Sequence, residues 1–540
     1  MHGMMMNRPL RIAEIIGFAE KMHPNEQIIS KTLQGEIHTS NYAETAKRSR
    51  RMSKALLSLG IKMGDRVATL AWNSFRHFEL YFAISGIGAI CHTINPRLSS
   101  EQLTYVVNHA SDSIIFIDLT FIPIIEAHIA KFPKTTRYVL MADREHMPQC
   151  NIPGVMCYED LINKQDEDYI WPEFDENTAS GLCYTSGTTG NPKGVLYSHR
   201  STVLHSLLSC IYNSGSFAPS RKILPIVPLF HANAWGLPYA APISGTALVF
   251  PGANLDGKSV YDLLNQYEVH AAWGVPTVWM GLLDEIKKRG SKPKGLSEML
   301  VGGSAAAKSL IEEFENMGVS VIHAWGMTEM SPLGTSNSSG ARRHQYDADS
   351  FAAMRTNVGQ PIFGVEVKIT DDDNNELPWD GVAFGALKVR GPWICSSYFK
   401  LEGSSAHAEE GWFETGDVAT IDARGNVSIT DRTKDVIKSG GEWISSIEVE
   451  NCATGHPMVA EAAVIGRIHP KWGERPLLIV VKNGQGDVTP DELKTFLDGK
   501  IAKWWIPDDV QYIKEMPHTA TGKIQKMKLR EIFEDYQFPA

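Results

Sequence analysis

The chain has 540 residues, of which 43% are hydrophobic and 21% charged, and its formal net charge is −10. This length favours two or more domains, and the composition is typical of a globular protein. The acidic balance, without a basic tail or patch in the sequence, disfavours a nucleic-acid partner. Seven scattered cysteines without a C-x-x-C pair argue against a disulfide framework or zinc site and favour the cytoplasm.

Residues 1–9 lack the long apolar core of a secretory signal, and residues 37–133 alternate between helical and strand-like patterns. A helix is predicted over residues 43–59, a strand over 66–71, a helix over 75–86 and a strand over 114–117. Strands that alternate with helices indicate a parallel sheet covered on both faces.

The next segment, residues 184–194, reads Tyr-Thr-Ser-Gly-Thr-Thr-Gly-Asn-Pro-Lys-Gly between two apolar runs. Glycines let a backbone approach a ligand closely, and many N–H and hydroxyl donors suit phosphate oxygens. A Walker A loop cannot be laid over Gly187, Gly190 and Lys193. Taken alone, such a run is also explained by a surface loop.

Residues 223–255 contain no Asp, Glu, Lys or Arg, which is long enough to resemble a membrane span. Five prolines divide the stretch into pieces too short for a spanning helix, so we expect buried strands and pocket walls and no membrane span. Inside it lie His231 and Trp235. Alone, a His among apolar neighbours is more often a packing residue, and Trp235, Trp273 and Trp279 fit either a pocket wall or the core.

Three further motifs follow in order. Residues 299–305 form an apolar run ending in paired glycines, residues 323–329 read His-Ala-Trp-Gly-Met-Thr-Glu, and residues 412–417 read Trp-Phe-Glu-Thr-Gly-Asp. Each has a plain structural explanation when taken alone, such as a strand-to-helix turn or a surface turn.

The segment Asp431–Glu442 predicts a domain boundary, which gives an N-terminal domain of residues 1–432 and a C-terminal domain of residues 433–540. A basic, solvated linker is the alternative reading of that segment. Helices are predicted after Ser445 and after Thr489 from their capping patterns. The last motif, Pro-His-Thr-Ala-Thr-Gly-Lys, ends at Lys523, and Lys526 and Lys528 are assigned to the solvated face of the last helix.

Together, these ordered motifs resemble the signatures of the adenylate-forming superfamily, which includes acyl-CoA synthetases, luciferases and peptide-synthetase adenylation domains. The resemblance implies an α/β fold with a large N-terminal domain of mixed and parallel sheets covered by helices, a hinge, and a small mobile α/β C-terminal domain. It also implies ATP, Mg²⁺ and CoA as cofactor and substrates, a small carboxylic acid as the third substrate, and a homodimer.

The resemblance assigns roles residue by residue. It implies catalytic roles for Lys523, Thr328, Glu329 and His231, and magnesium ligands in Glu329 and Thr185, since Mg²⁺ prefers oxygen ligands. The implied ATP and AMP contacts are Thr185, Ser186, Gly187, Thr188, Thr189, Gly190, Lys193, Gly303, Ser304, Ala305, His323, Ala324, Trp325, Gly326, Met327, Thr328, Asp417, Arg432 and Lys523. The implied hinge residues are Lys434 and Asp435, and the implied CoA path is Lys438, Ser439, Gly440, Gly441 and Glu442.

The implied acid-binding residues are His231, Trp235, Gly302, Gly303 and Trp325. Amino-acid-activating relatives have an acidic residue where this chain has His231, and a buried ammonium group without a partner is costly. The acid is therefore expected to lack an α-amine. The whole chain resembles bacterial medium-chain fatty acyl-CoA ligases and 3-methylmercaptopropionate–CoA ligases, and the bulky Trp235 favours the shorter acid.

Three alternatives remain open from the sequence. The chain could load a carrier protein instead of CoA, act as a luciferase-like oxidative relative, or serve as a non-catalytic ATP-binding module. Intact Lys523, Glu329 and Asp417 argue against the last. In the implied reaction, Lys523 acts in adenylation and the C-terminal domain then swings away for thioester formation.

Overall fold

The computed structural model describes residues 1, 3–185, 191–304, 306–337, 355, 357–440, 442–484, 486–518 and 523–539, without the side chains of residues 442 and 443. The chain divides into two compact units. The first comprises Met1–Leu300, Gly326–Gly334 and Pro392–Glu402, and the second comprises Val301–Trp325, Thr335–Gly391 and Gly403–Ala540. The domain boundary predicted between residues 432 and 433 lies inside the second unit and stays a prediction.

The first unit alternates strands with helices along the chain, as predicted. Its helices are α1 (Ile12–Met22), α2 (Tyr42–Ser58), α3 (Phe75–Gly86), α4 (Ser100–Ala110), α5 (Ile122–His128), α6 (Tyr158–Asn163), α7 (His199–Tyr212), α8 (Leu237–Ser244), α9 (Gly257–Gln266) and α10 (Pro276–Arg289). Its strands are β1 (Gln27–Lys31), β2 (Ile37–Asn41), β3 (Arg66–Leu70), β4 (Ile90–Thr93), β5 (Ile114–Ile117), β6 (Arg137–Leu140), β7 (Met156–Cys157), β8 (Ala179–Tyr184), β9 (Gly194–Ser198), β10 (Lys222–Pro225), β11 (Ala247–Phe250), β12 (Ala271–Gly274) and β13 (Glu298–Val301).

Polar caps explain where several of these helices begin. The side chains of Asn41 and Ser74 accept hydrogen bonds from the main-chain N–H three residues later, at 2.9 Å and 3.3 Å. Ser99 and Gln102 form a reciprocal capping box before α4. The predicted helix over residues 75–86 and strand over residues 114–117 are confirmed with those bounds.

A seven-stranded sheet follows the order β7-β6-β5-β3-β4-β8-β9 and is parallel except for the antiparallel pair β8–β9. All four residues of β5 are buried, and Ile115 and Ile117 pack with apolar residues of α4 and α5. The predicted parallel sheet is therefore confirmed. Because Tyr184 pairs with Gly194, the segment between them connects two neighbouring strand ends.

A second sheet of this unit runs in the order β13-β12-β10-β11-β1-β2. The pairs β12–β10, β10–β11 and β11–β1 are parallel, and β2 is antiparallel to β1. The charge-free stretch of residues 223–255 supplies β10, α8 and β11 to this unit, as short pieces. Within the described part of the chain, no helix is long and apolar enough to cross a membrane.

The second unit is dominated by antiparallel pairing. The remaining helices are α11 (Lys308–Asn316), α12 (Ser446–Thr454), α13 (Pro490–Leu497) and α14 (Lys526–Ile532). The remaining strands are β14 (Ser320–Gly326), β15 (Leu333–Ser336), β16 (Gln360–Pro361), β17 (Glu366–Thr370), β18 (Phe384–Arg390), β19 (Phe413–Ile421), β20 (Val427–Arg432), β21 (Ile437–Ser439), β22 (Glu442–Ile444), β23 (Val459–His469), β24 (Gly473–Lys482) and β25 (Asp509–Tyr512). Strands β17, β18, β19 and β20 form one antiparallel sheet.

The C-terminal sheet has the order β22-β21-β24-β23, with β25 parallel to β24. Successive residues of β23 bury on opposite faces, as the period of a strand requires. Ala462 and Val464 pack with residues of α12 and α13, whereas Ala463 and Ile465 pack with Leu529 of α14. The predicted α/β class, with mixed sheets covered by helices and a smaller C-terminal α/β region, is confirmed.

Lys526 corrects one sequence prediction. Its side chain is 11% exposed, its Nζ lies 2.7 Å from Oε1 of Glu450, and it also contacts Ser446. The prediction of a solvated position was wrong because α14 packs on the sheet and turns this lysine towards buried carboxylates. Lys528 is 58% exposed and pairs with Glu531, as expected for the solvated face.

Candidate active site

The glycine-rich segment is closed at its base by hydrogen bonds between its two ends. The main-chain N–H of Thr185 donates to the carbonyl oxygen of Lys193 at 2.9 Å, and the N–H of Lys193 donates to Oγ1 of Thr185 at 3.2 Å. These bonds continue the β8–β9 pairing, so Thr185 and Lys193 are fixed to the sheet. Five predicted phosphate-binding residues of this segment lie outside the described residues: Ser186, Gly187, Thr188, Thr189 and Gly190.

The residues after β14 form a tight loop that requires glycine at its start. A Cβ at Gly326 would overlap the carbonyl oxygen of Pro332, so only glycine fits this close backbone approach. The N–H of Met327 donates to the same oxygen at 3.1 Å. The loop thereby closes around the short turn Thr328–Met330.

Thr328 and Glu329 are both buried in this turn. The Tyr197 hydroxyl donates to the carbonyl oxygen of Thr328, and the Tyr398 hydroxyl donates to Oε1 of Glu329, both at 2.7 Å. Burial and the nearby Glu329 carboxylate raise the pKa of Tyr398, which therefore stays protonated as a donor. The N–H of Cys395 donates to the Glu329 carbonyl oxygen at 2.8 Å.

The donor set of this region fits a magnesium ion. Glu329 offers a carboxylate and Thr185 a hydroxyl, both in the first unit, and oxygen is the ligand type that Mg²⁺ takes in proteins. Magnesium is usually held by one or two carboxylates together with substrate phosphates, so a single carboxylate is compatible with such a site. The metal-binding role of both residues stays a prediction. Among the described residues, no cluster of three or more His, Cys, Asp or Glu side chains suited to a metal occurs.

In the second unit, three predicted nucleotide contacts form one bonded group. The indole Nε1 of Trp325 donates to Oδ2 of Asp417 at 2.9 Å, and Nε of Arg432 lies 2.7 Å from Oδ1. Asp417 and Arg432 face each other in the β19–β20 register. The Asp417 side chain is 4% exposed and the Arg432 side chain 40% exposed, so the pair presents its polar edge at the surface of this unit.

Strand β14, which carries Trp325, is anchored by a residue that sequence reasoning missed. Oδ1 of Asn337 accepts from the N–H of His323 at 2.7 Å, and the N–H of Asn337 donates to the His323 carbonyl oxygen at 3.0 Å. His323 and Ala324 are buried, while Trp325 is half-buried. Of the glycine segment in this unit, Gly302 is buried, Gly303 has a φ of +81° and Ser304 is exposed, and Ala305 lies outside the described residues.

The segment that carries His231 and Trp235 contains a left-handed turn. Residues 232–235 all have φ between 43° and 57°, although none is glycine, and Gly236 follows with φ 84°. Such a conformation costs roughly 1–2 kcal/mol per residue, so the surrounding structure must hold it. Oδ1 of Asn233 accepts from the Tyr81 hydroxyl at 3.3 Å and from the Cys183 thiol at 3.5 Å.

Only one of the three candidate pocket tryptophans is partly exposed. Trp235 is half-buried and lies four residues after the half-buried His231. Trp273 and Trp279 are buried, and Nε1 of Trp273 donates to Oγ of Ser216 at 2.9 Å. The role of Trp235 in a pocket stays a prediction.

The predicted CoA path begins in β21. Ser439 is buried and Lys438 exposed, while the N–H of Gly440 donates to the Trp472 carbonyl oxygen at 2.8 Å. Gly440 has φ 60°, and a Cβ there would lie 3.0 Å from the Trp472 ring, so both conformation and space favour glycine. Gly441 and the side chain of Glu442 lie outside what the structure describes.

The predicted hinge and the predicted catalytic lysine lie in the second unit. Lys434 is exposed, and Oδ1 of Asp435 is 2.7 Å from NH2 of Arg530. Lys523 is half-buried and directly follows the undescribed residues 519–522. The roles of these residues stay predictions.

Sequence reasoning missed Tyr197 and Tyr398, which hold the Thr328–Glu329 turn. No local pattern marks either residue. Tyr197 reads as part of a buried strand, and Tyr398 lies in a polar connection whose partner is distant in sequence. Only the fold brings both tyrosines to the turn.

The chain is also similar in sequence to known proteins. The profile described as AMP-binding enzyme matches residues 19–399, and the profile described as AMP-binding enzyme C-terminal domain matches residues 448–523. The chain is 50% identical over 536 residues to 3-methylmercaptopropionyl-CoA ligase of Ruegeria lacuscaerulensis, covering 99% of both chains. It is 48% identical over 536 residues to the medium-chain-fatty-acid–CoA ligase of Ectopseudomonas oleovorans, covering 99% of this chain and 98% of that one.

Solved structures share the fold. The anthranilate CoA ligase AuaEII in complex with anthranoyl-AMP superposes with a TM-score of 0.87 at 24% identity, over 97% of this chain and 98% of that one. ATP-bound MatB from Rhodopseudomonas palustris superposes with a TM-score of 0.81 at 25% identity, over 97% and 99%.

Proposed function

Because the chain belongs to the AMP-binding enzyme family, we propose that it ligates 3-methylmercaptopropionate to CoA. It is an AMP-forming acid–CoA ligase that uses ATP, Mg²⁺ and CoA. The choice of acid rests on one observation: the chain is 50% identical, over 99% of both chains, to a 3-methylmercaptopropionyl-CoA ligase.

The reaction has two steps because a carboxylate is a poor electrophile. First, a carboxylate oxygen attacks the α-phosphorus of ATP and the bond to pyrophosphate breaks, which gives acyl-AMP. Then the CoA sulfur attacks the acyl carbon, the thiol proton is lost, and the bond to AMP breaks. Bound Mg²⁺ would offset phosphate charge in the first step.

The residues of this chain supply binding and charge stabilisation. Asp417 would accept hydrogen bonds from the ribose hydroxyls, in a position fixed by Trp325 and Arg432. Lys523 would offset the repulsion between the incoming carboxylate and the α-phosphate, where negative charge develops. His231 leaves no acidic partner for an α-amine, which favours an acid without one.

The medium-chain alternative also has support, because the chain is nearly as similar to a medium-chain-fatty-acid–CoA ligase. A panel of acids distinguishes the two. The purified protein would be assayed for pyrophosphate, AMP and thioester with 3-methylmercaptopropionate and with straight-chain acids of four to ten carbons. We expect the highest kcat/KM for 3-methylmercaptopropionate.

Each other result has a defined meaning. A maximum at the longer acids would assign the medium-chain function. Pyrophosphate release without CoA-dependent thioester formation would favour a carrier-protein acceptor. Absence of pyrophosphate release with every acid would contradict the ligase assignment.

We further propose a homodimer in the cytoplasm. Four apolar side chains are exposed on the contacting helices α1 and α7 of the first unit: Phe18, Met22, Leu207 and Ile211. Exposed apolar side chains on neighbouring helices favour a protein interface, which light scattering after size exclusion would test. All seven cysteines are free thiols, in keeping with a reducing compartment.

A further inference from the structure

Tyr398 and Glu329 lie in separate segments of the first unit and are joined by a short hydrogen bond. The phenol hydroxyl donates to Oε1 of Glu329 at 2.7 Å, and both side chains are buried, with 6% of each residue exposed. Three residues before the tyrosine, the N–H of Cys395 donates to the Glu329 carbonyl oxygen at 2.8 Å. One short segment therefore holds both the main chain and the carboxylate of Glu329.

The same tyrosine contacts the end of the glycine-rich segment. The Lys193 Nζ lies 4.8 Å from the centroid of the Tyr398 ring, within the range of a cation–π contact. Next to the tyrosine, the N–H of Phe399 donates to the carbonyl oxygen of Gly194 at 2.8 Å. The hydroxyl and the ring thus bind two different predicted parts of the nucleotide site, both in the first unit.

A carboxylate that binds a metal works best when a second group fixes its orientation, and loss of such a group typically weakens metal affinity or activity about 10–100-fold. We infer that Tyr398 is a positioning residue, which orients the Glu329 carboxylate for Mg²⁺ and links it to Lys193. This inference rests on the proposed ATP-dependent ligase function. The hydroxyl thereby orients the carboxylate that would bind the metal, and the ring contacts Lys193.

Tyr197 provides a matched control in the same turn. It is also buried, and its hydroxyl also donates at 2.7 Å, but to the main-chain oxygen of Thr328 instead of a carboxylate. Tyr197→Phe and Tyr398→Phe each remove one buried hydroxyl. The acceptors of the two hydroxyls, Thr328 and Glu329, are adjacent residues of one turn. Only the second change removes a hydrogen bond to the side chain of the predicted metal ligand.

The test measures metal affinity directly. Each variant would be titrated with Mn²⁺ in the presence of α,β-methylene-ATP, with the bound metal followed by water-proton relaxation. Tyr398→Phe should weaken Mn²⁺ binding about tenfold or more, while affinity for the nucleotide in EDTA stays unchanged. Tyr197→Phe should keep the Mn²⁺ affinity within about twofold of the parent, because its partner is not a ligand.

A double variant tests whether the tyrosine acts through Glu329. Once Glu329→Gln has removed the charged ligand, adding Tyr398→Phe should cause little further loss of Mn²⁺ affinity. A Tyr398→Phe protein that binds Mn²⁺ as the parent does overturns the inference. A full additional loss in the Glu329→Gln background also overturns it, because the tyrosine would then act independently.

The outcome is separable from that of the proposed function. Pyrophosphate release by the parent protein, with acid and Mg²⁺–ATP, tests the ligase reaction without reference to Tyr398. Melting temperatures of the two tyrosine variants identify general destabilisation, which would lower nucleotide binding in EDTA as well. A selective loss of Mn²⁺ affinity supports the inference, and a parallel loss of metal and metal-free nucleotide binding contradicts it.

Discussion

Trp325 and Asp417 form a hydrogen-bonded pair, with the indole Nε1 donating to Oδ2 at 2.9 Å. The other carboxylate oxygen of Asp417 lies 2.7 Å from Nε of Arg432. The predicted ribose acceptor is therefore oriented on both sides before a nucleotide binds. Preorganisation of this kind lowers the entropy lost on binding.

Asp417→Ala should weaken ATP binding by roughly 1.5–3 kcal/mol, the contribution of hydrogen bonds to a charged acceptor. Calorimetric titration with ATP would measure the change. Asp417→Asn is the matched control, because it keeps an acceptor for Trp325 and loses the charge, and it should give a smaller loss. Unchanged ATP affinity in a folded Asp417→Ala protein would reduce Asp417 to a structural residue.

Lys523→Ala should suppress formation of acyl-AMP about 10²-fold or more, since it removes a cation from a transition state between two anions. Thioester formation from synthetic acyl-AMP and CoA should be largely spared. The two half-reactions would be measured separately by pyrophosphate release and by loss of acyl-AMP. Lys528→Ala, on the exposed face of α14, is the control and should affect neither.

Equal losses in both half-reactions of Lys523→Ala would contradict this division of roles. The lysine would then be needed throughout the cycle, or the substitution would disturb the C-terminal fold. The melting temperature of the variant distinguishes those two explanations.

Stability should fall below pH 6.5 because buried histidines resist protonation in the folded protein. Burial lowers the pKa of His205 from 6.5 to about 3, and that of His77 to about 4. Between pH 6.5 and these values the unfolded chain binds protons that the folded chain does not, so acid favours unfolding. Each such residue contributes a slope of up to about 1.4 kcal/mol per pH unit.

His205→Gln should therefore flatten the dependence of the unfolding free energy on pH between 6 and 4. Urea unfolding at several pH values would measure it. The control is Ser206→Ala, which removes a buried hydroxyl that donates to Thr202 at 2.7 Å but no titrating group. It should lower stability equally at every pH, whereas an unchanged slope in His205→Gln would contradict the assignment.

The sequence predicted the helices and strands of the first unit well, because their caps and periodicities are local. Residues 75–86 and 114–117 have the predicted bounds, and Asn41 and Ser74 cap helices through neighbours three residues away. Lys526 was misplaced for the opposite reason. Its partner Glu450 lies in another helix, and no local pattern shows that a lysine on a short polar helix will point inward.

The candidate site was predicted through motifs but not through the residues that hold them. Asp417 and Arg432 were both predicted as nucleotide contacts, and the β19–β20 register brings them together. Tyr398, Asn337 and Asn233 were not predicted, because each acts through contacts to residues that are distant in sequence. A positioning residue of that kind has no signature of its own in a single sequence.

The left-handed turn at residues 232–235 was equally invisible, since none of its residues is glycine. Within this turn Trp235 is half-buried, whereas Ala232, Asn233 and Ala234 are buried. A right-handed helical turn would direct the indole elsewhere, so the orientation of Trp235 depends on the strained backbone. The backbone of this turn is therefore part of the prediction that Trp235 lines the acid-binding pocket.

Trp235→Ala should shift the preference of the enzyme towards longer acids. The indole is proposed to close the acyl pocket, and each added methylene that finds apolar surface should contribute about 0.8 kcal/mol. The kcat/KM values for acids of three to ten carbons would be compared with those of the parent protein. The variant should gain on the longer acids and lose on 3-methylmercaptopropionate.

Trp273→Phe is the matched control, because Trp273 is buried and its indole donates to Ser216. This substitution should lower the melting temperature and reduce activity on every acid by a similar factor. Trp235→Ala should change the profile with a smaller loss of stability, since its side chain is only half-buried. If the profile of Trp235→Ala keeps its shape while the protein becomes less stable, Trp235 is a core residue and the preference for a short acid loses its residue-level support.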